Sequence, residues 1–248
     1  MINDYNSVCD IYDLYNSASY DIDFYLKRFK NFKGNAVELM AGTGRLSIPL
    51  IKSGMKLDCV DISKGLLDRL SEKLSEENLQ GNIYCQDIRF LNLEKKYDLI
   101  IIAFNSFSEI IDVKDRELVF RSVKNIISEP GEFIFTLYNP SYRRKSISNN
   151  LTFVDEFPVN DNKLRFFISS AESDSIVEVK QFYELYDDSG ILLNKRMLNL
   201  KFKLINRNEI EELIRRSGFI IKEFYGNFDS SEYDENISPF MIYILRTG

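Results

Sequence analysis

An α/β fold on a doubly wound, mostly parallel sheet is what this sequence predicts, and three observations predict it. Strand-patterned and helix-patterned segments alternate with short connections from Ala36 to Tyr138. The run Tyr97–Ala103 is almost wholly apolar, as a central strand buried on both faces requires. Residues 37–44, Val-Glu-Leu-Met-Ala-Gly-Thr-Gly, read as a buried strand followed by a glycine turn that opens a helix.

The elements follow in order. Val37–Leu39 is the first strand, and Arg45–Ser53 the first helix, ended by Gly54. Lys56–Val60 runs into Asp61; Ser63 then caps a helix to Glu76 that repeats Leu66, Leu67, Leu70 and Leu74 at helical spacing. Ile83–Gln86 is a short third strand ending at Asp87, and Tyr97–Ala103 is the fourth. A helix over Asp115–Ile127 closes at Pro130-Gly131, and Glu132–Tyr138 is the fifth strand. The alternation then stops. Leu164–Ser170, Ser175–Tyr186 and Ile191–Leu204 are strand-like without helices between them, and Asp187-Asp188-Ser189-Gly190 is a hairpin signal. An antiparallel β insertion is therefore expected between strand 5 and the following helix. Asn206 and Glu209 have capping-box spacing for that helix, which runs to Ser217 and Gly218. Strands Phe219–Tyr225 and Phe240–Leu245 finish the chain, and the first 33 residues read as helical and rich in tyrosine.

Composition narrows the function. The 248 residues are 44% hydrophobic and 28% charged, with a formal net charge of −6, so an overall electrostatic footprint for nucleic acid is missing. No apolar run approaches bilayer-spanning length, and the first residues lack a basic n-region and an apolar h-region. A cytoplasmic protein without membrane partners is expected. Cys9, Cys59 and Cys85 are too few and too scattered for a disulfide frame or a zinc site. There is no histidine. That excludes Ser-His-Asp chemistry, a histidine base and histidine-ligated metal, so proton transfer falls to a carboxylate, tyrosine, lysine, water or the substrate. No metal is expected.

The turn itself selects a ligand type. Gly42 and Gly44 allow backbone to approach a ligand closely. A dinucleotide wants G-x-G-x-x-G/A, yet Ser47 stands in the third place and the acidic Glu38 precedes the turn. A ligand with an ammonium group and no phosphate fits better.

Four stations line up at the carboxyl ends of successive strands: Glu38 to Gly44, Asp61, Gln86-Asp87-Ile88, and Ala103-Phe104-Asn105-Ser106-Phe107. Together they resemble the class I S-adenosylmethionine-dependent methyltransferases, from Tyr12 to Arg246. Glu38-Leu-Met40-Ala41-Gly42-Thr-Gly44-Arg45 matches the family's first motif, Val60-Asp61-Ile62-Ser63 the second and Cys85-Gln86-Asp87-Ile88 the third. Phe104–Glu109 and Glu132–Pro140 look like the fourth and fifth. The inserted sheet is similar to that of small-molecule N- and O-methyltransferases, including the sugar-amine group. The resemblance implies a seven-stranded sheet in the order 3-2-1-4-5-7-6 with strand 7 antiparallel. It also implies three parts: residues 1–33 as a helical lid, 34–140 with 206–248 as a Rossmann-like methyltransferase domain, and 141–205 as a substrate cover or dimer interface.

It implies roles as well, each beside a plainer reading. Glu38 would face the donor's α-amino group, or be a solvated strand terminus. Asp61 would accept from the ribose hydroxyls, or be a turn and capping residue. Asp87 would accept from the adenine amine while Ile88 donates its backbone N–H, or Asp87 is a turn residue. Phe104 and Phe107 would flank adenine, or pack in the core. Tyr12 and Tyr20 resemble lid residues over the donor, or belong to an amphipathic helix. Met40, Ala41, Arg45, Ile62, Gln86 and Asn105 complete the implied cofactor set, with S-adenosyl-L-homocysteine as product.

Methyl transfer from a sulfonium mostly needs alignment in a site shielded from water, so catalytic residues are hard to read from sequence. Glu109, just beyond strand 4, is the first candidate base, where many relatives carry histidine; it is otherwise the start of a solvated helix. Tyr138, at the end of strand 5, is the second, and its alternative is packing. Arg143-Arg144-Lys145 is either a carboxylate- or phosphate-binding loop or a solvated charge run. The expected function is methylation of a small molecule at N or O by in-line displacement, by a monomer or homodimer. The rivals are aminocarboxypropyl transfer from the same donor, a non-catalytic donor-binding module and, last, an NAD-dependent oxidoreductase.

Overall fold

The computed structural model describes residues 3–248. Ahead of the sheet stand a 3₁₀ turn at Tyr5–Val8, α1 (Tyr12–Tyr15) and α2 (Ile22–Arg28). The alternating region follows as β1 (Ala36–Leu39), α3 (Ser47–Lys52), β2 (Leu57–Asp61), α4 (Lys64–Glu76), β3 (Ile83–Cys85), β4 (Tyr97–Ile102), α5 (Val113–Ile126) and β5 (Ile127–Tyr138). Then come α6 (Pro140–Arg143), β6 (Thr152–Val159), β7 (Asn162–Ser173), β8 (Ile176–Tyr186) and β9 (Leu192–Lys203). The chain ends with α7 (Arg207–Arg216), β10 (Phe219–Tyr225) and β11 (Phe240–Thr247).

Among the described residues there are two sheets. The first runs β3-β2-β1-β4-β5-β11-β10, and β11 is antiparallel to both its neighbours while the other pairs are parallel. This is the order expected from the resemblance. The second is antiparallel, β6-β7-β8-β9.

Period-2 alternation divides β4 between two cores, which is why its sequence is apolar throughout. Ile100 and Ile102 join Phe120, Phe133 and Phe135 on the face covered by α5 and α7. Leu99 and Ile101 join Leu50, Leu67 and Leu70 on the face covered by α3 and α4. The N-terminal region is split between partners. Phe24 and Tyr25 of α2 belong to the second of these cores, whereas Val8 and Ile11 pack on Leu164, Phe166, Tyr183 and Leu198 of the inserted sheet. No helix among the described residues is long and apolar enough to cross a membrane.

Three boundaries differ from the sequence reading. Helix α5 starts at Val113, because the Asp112 carboxylate accepts from the Lys114 N–H at 2.7 Å and caps it two residues before Asp115. Pro130-Gly131 does not stop a helix: it lies inside β5, where the register passes from Tyr97↔Ile127 to Leu99↔Glu132 and the extra residues bulge out. Strand β6 has no counterpart in the sequence reading. Asp155, Glu156 and Pro158 spoil its alternation, and an edge position tolerates all three.

Helix α4 fixes the turn after β1. A Cβ on Gly44, whose φ is +81°, would collide with Leu70 Cδ1, whereas one on Gly42, φ +56°, would meet only Leu66 Cδ1 at 3.9 Å. Gly44→Ala therefore combines left-handed strain with overpacking and is expected to destabilise by about 2–4 kcal/mol, against about 1–2 kcal/mol for Gly42→Ala. Urea unfolding of the two variants checks the order; equal losses contradict this assignment.

Candidate functional site

A cavity of about 590 Å³ opens at the carboxyl edge of the large sheet, beside the β1/β4 crossover where ligands bind in such sheets. Eight of the residues expected at a cofactor or acceptor site line it: Tyr12, Met40, Gly42, Asp61, Ile62, Asp87, Ile88 and Glu109. They come from the ends of β1, β2, β3 and β4 and from the N-terminal region.

Asp61 is the best-defined of them. Its Oδ2 accepts from the Gly42 N–H at 2.8 Å and its Oδ1 from the Ser63 N–H at 2.8 Å, so it closes the β1 turn onto β2. Burial raises its pKa, against the pull of the backbone N–H groups of Ser63, Gly42 and Ile62. The residue is 8% exposed and lines the cavity. Asp87 caps the short turn at Ile88–Phe90 and is held by Arg89, which also reaches Asp115 at 2.7 Å. Burial raises the Asp87 carboxyl, and the Arg89 guanidinium more than offsets this, leaving it below its usual range.

The remaining expected residues lie elsewhere, for definite reasons. Glu38 is buried behind the cavity, where it accepts from the Ser47 hydroxyl. This explains the polar residue at the third position of the glycine motif. Arg45 reaches back to the fully buried Asp21 at 2.6 and 2.7 Å and to the Ala18 carbonyl. Its guanidinium sits 4.2 Å from the Phe104 ring centre, and Tyr20 stacks on Phe104 and Phe240. Residues 18–21 thus strap across Arg45 and Phe104. Ala41 is buried and donates its N–H to Val60, Gly44 backs onto Leu70, and Gln86 pairs with the backbone of Asn92.

Three placements correct the sequence reading. Phe107 is fully buried against Phe120 and Phe135, so it is core and does not flank the cavity. Tyr138 lies one strand beyond the cavity lining, with its ring against Phe202 and Phe240. Asn105 is also behind the lining, in left-handed backbone held by its N–H to the Thr136 hydroxyl; both polar atoms of its buried side chain lack a hydrogen-bond partner among the described residues. The basic loop is spoken for. Arg143 lies over Tyr138 and Phe202, Arg144 pairs with Glu172, and Lys145 donates to the Asn236 carbonyl.

Glu109 also lines the cavity. Burial pushes its pKa up to about 7, against hydrogen bonds from Asn3 and Tyr5 and with the Asp61 charge adding to the rise. Residues the sequence did not mark also line the space: Asn3, Tyr5, Arg89, Asp112, Asp115 and Lys201. Asn3 and Lys201 carry no motif. The lining is acid-rich, with Asp61, Asp87, Glu109, Asp112 and Asp115 against two basic side chains, one of which is tied to Asp87 and Asp115. Among the described residues no group of three or more His, Cys, Asp or Glu is placed to hold a metal ion.

Burial raises the Glu38 carboxyl, opposed by Ser47 and Arg45, to about 8. A carboxyl raised on folding favours the native state below its ordinary value near 4.5, and that contribution is lost as pH climbs toward 8. Glu38→Gln removes the loss. From about pH 5 to about pH 9 the stability of the ligand-free variant should gain on wild type by on the order of 1–3 kcal/mol. Denaturant titrations across that range test it, and a pH-independent difference rejects the buried, proton-binding Glu38.

Residues 36–131 match a family described as "Methyltransferase domain". The chain is 23% identical over 235 residues to "Putative methyltransferase YqeM" of Bacillus subtilis (strain 168), covering 92% of this chain and 91% of that protein. Its fold is similar to that of an S-adenosylmethionine-dependent methyltransferase from Clostridium acetobutylicum ATCC 824, with a TM-score of 0.81, 22% identity and coverage of 98% and 99% of the two chains. The sugar N-methyltransferase KedS8 from Streptoalloteichus sp ATCC 53650 also shares the fold, with a TM-score of 0.76 and 10% identity over 98% of this chain and 94% of that one. By its sheet order and these likenesses, the chain has the class I methyltransferase fold, and its residues 36–131 are similar to a methyltransferase domain.

Proposed function

We propose that the protein methylates a small molecule, at an amine nitrogen in preference to a hydroxyl oxygen, with the cavity holding donor and acceptor together. The observation that carries this is the Asp61 carboxylate, pinned by two backbone N–H groups at the end of β2 on a residue that lines the cavity. A carboxylate so held retains lone pairs for a vicinal diol. In front of Gly42 there is room that a side chain would invade, and the acid-rich lining suits a cationic ligand. These features fit S-adenosylmethionine. Asp61 would hold its ribose, Asp87 and the Ile88 backbone its adenine, and Gly42 with Met40 and Tyr12 its methionine moiety. Glu38 and Asn105, with its two unpartnered polar atoms, lie behind that position, and Tyr20 belongs to the strap that covers it. When bound, the donor supplies a methyl group on a sulfonium, and the S–CH₃ electron pair returns to sulfur as the methyl moves in line to the acceptor.

Glu109 takes the acceptor's proton. Its raised pKa lets it bind a proton near neutrality, a role that no histidine can fill in this chain. An amine acceptor is favoured by the excess of cavity carboxylates, which attract an ammonium and then receive its proton. The fold shared with KedS8, a sugar N-methyltransferase, supports an amine acceptor of that kind. On this reading the enzyme is cytoplasmic, its partner is the small acceptor, and the net charge of −6 argues against nucleic acid.

Calorimetry with S-adenosylhomocysteine tests the donor site. Asp61→Ala should weaken binding about 10- to 100-fold, since a charge-assisted pair of hydrogen bonds is lost, with the fold intact by circular dichroism. Unchanged affinity removes the ribose assignment. A panel of amines, phenols and acids, read as S-adenosylhomocysteine release, identifies the acceptor. On it, Glu109→Gln should lower kcat by about 10²–10⁴-fold with donor affinity retained, while Tyr138→Phe stays near wild type. Full turnover by Glu109→Gln rejects the base.

A further inference from the structure

Glu109 does not stand alone in the cavity. Its Oε2 accepts from Asn3 Nδ2 at 2.7 Å and its Oε1 from the Tyr5 hydroxyl at 2.8 Å, so each carboxylate oxygen has one donor and both donors come from the same short segment. The orientation of the Asn3 amide is dictated from outside. Strand β9 is an edge of the inserted sheet, and at Lys201 its N–H donates to Asn3 Oδ1 at 2.9 Å while its C=O accepts from Asn3 Nδ2 at 3.1 Å. An amide turned the other way would set donor against donor and acceptor against acceptor. With the amide so fixed, Nδ2 has a second N–H to give, and Glu109 receives it.

We propose that Asn3 and Tyr5 are positioning residues that hold the Glu109 carboxylate ionised and aimed at the acceptor, so that the base is complete only when residues 3–8 are seated between the inserted sheet and the large sheet. The inference rests on Glu109 as the base of the proposed reaction. The seat has two further anchors. Asn6 Oδ1 accepts from the Ser63 hydroxyl and from the Gly65 N–H, both at 3.1 Å, at the start of α4 beside Asp61. Val8 is fully buried with Ile11, Leu164 and Phe166. One segment therefore touches β9, Glu109 and the Asp61 end of the site.

The groups facing Glu109 are few. Tyr12 lies edge-on to Tyr5 at 5.6 Å in the N-terminal segment, and Asp61 stands at the end of β2. Tyr138 stands at the end of β5, and Lys201 shares the cavity, with its ammonium 3.8 Å from Glu178. Asp61 favours the protonated form of Glu109, and the two donors favour the ionised form.

The test reads Glu109 directly. Carbon-13 NMR of glutamate side-chain carboxyls is followed against pH in the full chain, with the Glu109 resonance assigned by its loss in Glu109→Gln. Asn3→Ala and Tyr5→Phe should each move the Glu109 midpoint upward by about one pH unit, since each deletes a donor to the charged form, and the double variant further. Their affinity for S-adenosylhomocysteine should stay within about threefold of wild type, because neither residue is assigned to the donor. A midpoint that does not move in either folded variant overturns the clamp. So does a loss of S-adenosylhomocysteine affinity without a midpoint shift, which is what a merely structural role produces. Tyr5→Phe removes one oxygen and keeps the ring against Tyr12, so it decides the matter if Asn3→Ala fails to fold. Glu109→Gln with wild-type turnover overturns the base assignment instead, whatever the midpoints do. Lost turnover in Glu109→Gln with unmoved midpoints overturns the clamp alone.

Discussion

The site depends on backbone that cannot hold its own shape. Met40, Gly42 and Gly44 after β1, and Phe104 and Asn105 after β4, all have positive φ. A non-glycine residue in the left-handed region costs of order 1–3 kcal/mol, so such turns persist only when their surroundings over-determine them. Here each is stapled by a side-chain oxygen from the neighbouring strand. Asp61 on β2 accepts from the Gly42 N–H, and Thr136 on β5 accepts from the Asn105 N–H, each at 2.8 Å. The two staples flank the crossover between β1 and β4, where the β1 turn lines the cavity.

The same logic extends to the N-terminal region. Besides its apolar contacts with the two cores, it is held by polar residues of the glycine motif and of α4. Asp13 accepts from Thr43 and pairs with Lys73 at 2.9 Å, while Asp21 is buried against Arg45. Thr43 and Arg45, inside the stretch that reads as a ligand-binding signature, therefore face the N-terminal region. A buried ion pair such as Asp21–Arg45 contributes little net stability, but losing either partner leaves a charge stranded, so the pair fixes where the strap lies.

What could be read from the sequence was whatever leaves a periodic or a punctuating trace. The parallel sheet was legible because β4 is apolar on both faces and because Ser63, Asn206 and the glycine turn mark helix ends. The inserted sheet was legible in outline, except for β6, whose Asp155, Glu156 and Pro158 suit an edge and hide its alternation. At the site, Asp61, Asp87, Gly42 and Glu109 were legible because each ends a strand or follows one closely. Asn3 and Lys201 were not. Asn3 meets Glu109 across 106 residues of chain and Lys201 across 198, the second through a backbone edge that any residue type supplies. The burial of Phe107 and the withdrawal of Glu38 and Tyr138 are also tertiary outcomes: a strand-end aromatic or acid looks the same whether it points to a cavity or away from it.

A chain without histidine has no side chain that titrates near neutrality by its ordinary nature. Burial supplies two that do, Glu109 at about 7 and Glu38 at about 8. The formal charge of −6 counts both as ionised, so the native protein at neutral pH carries less negative charge than its composition states, and unfolding it releases protons. Unfolding, which exposes both carboxyls fully to water, makes the molecule more acidic. Its proton uptake near neutrality is thus a property of the closed fold and disappears in the unfolded chain.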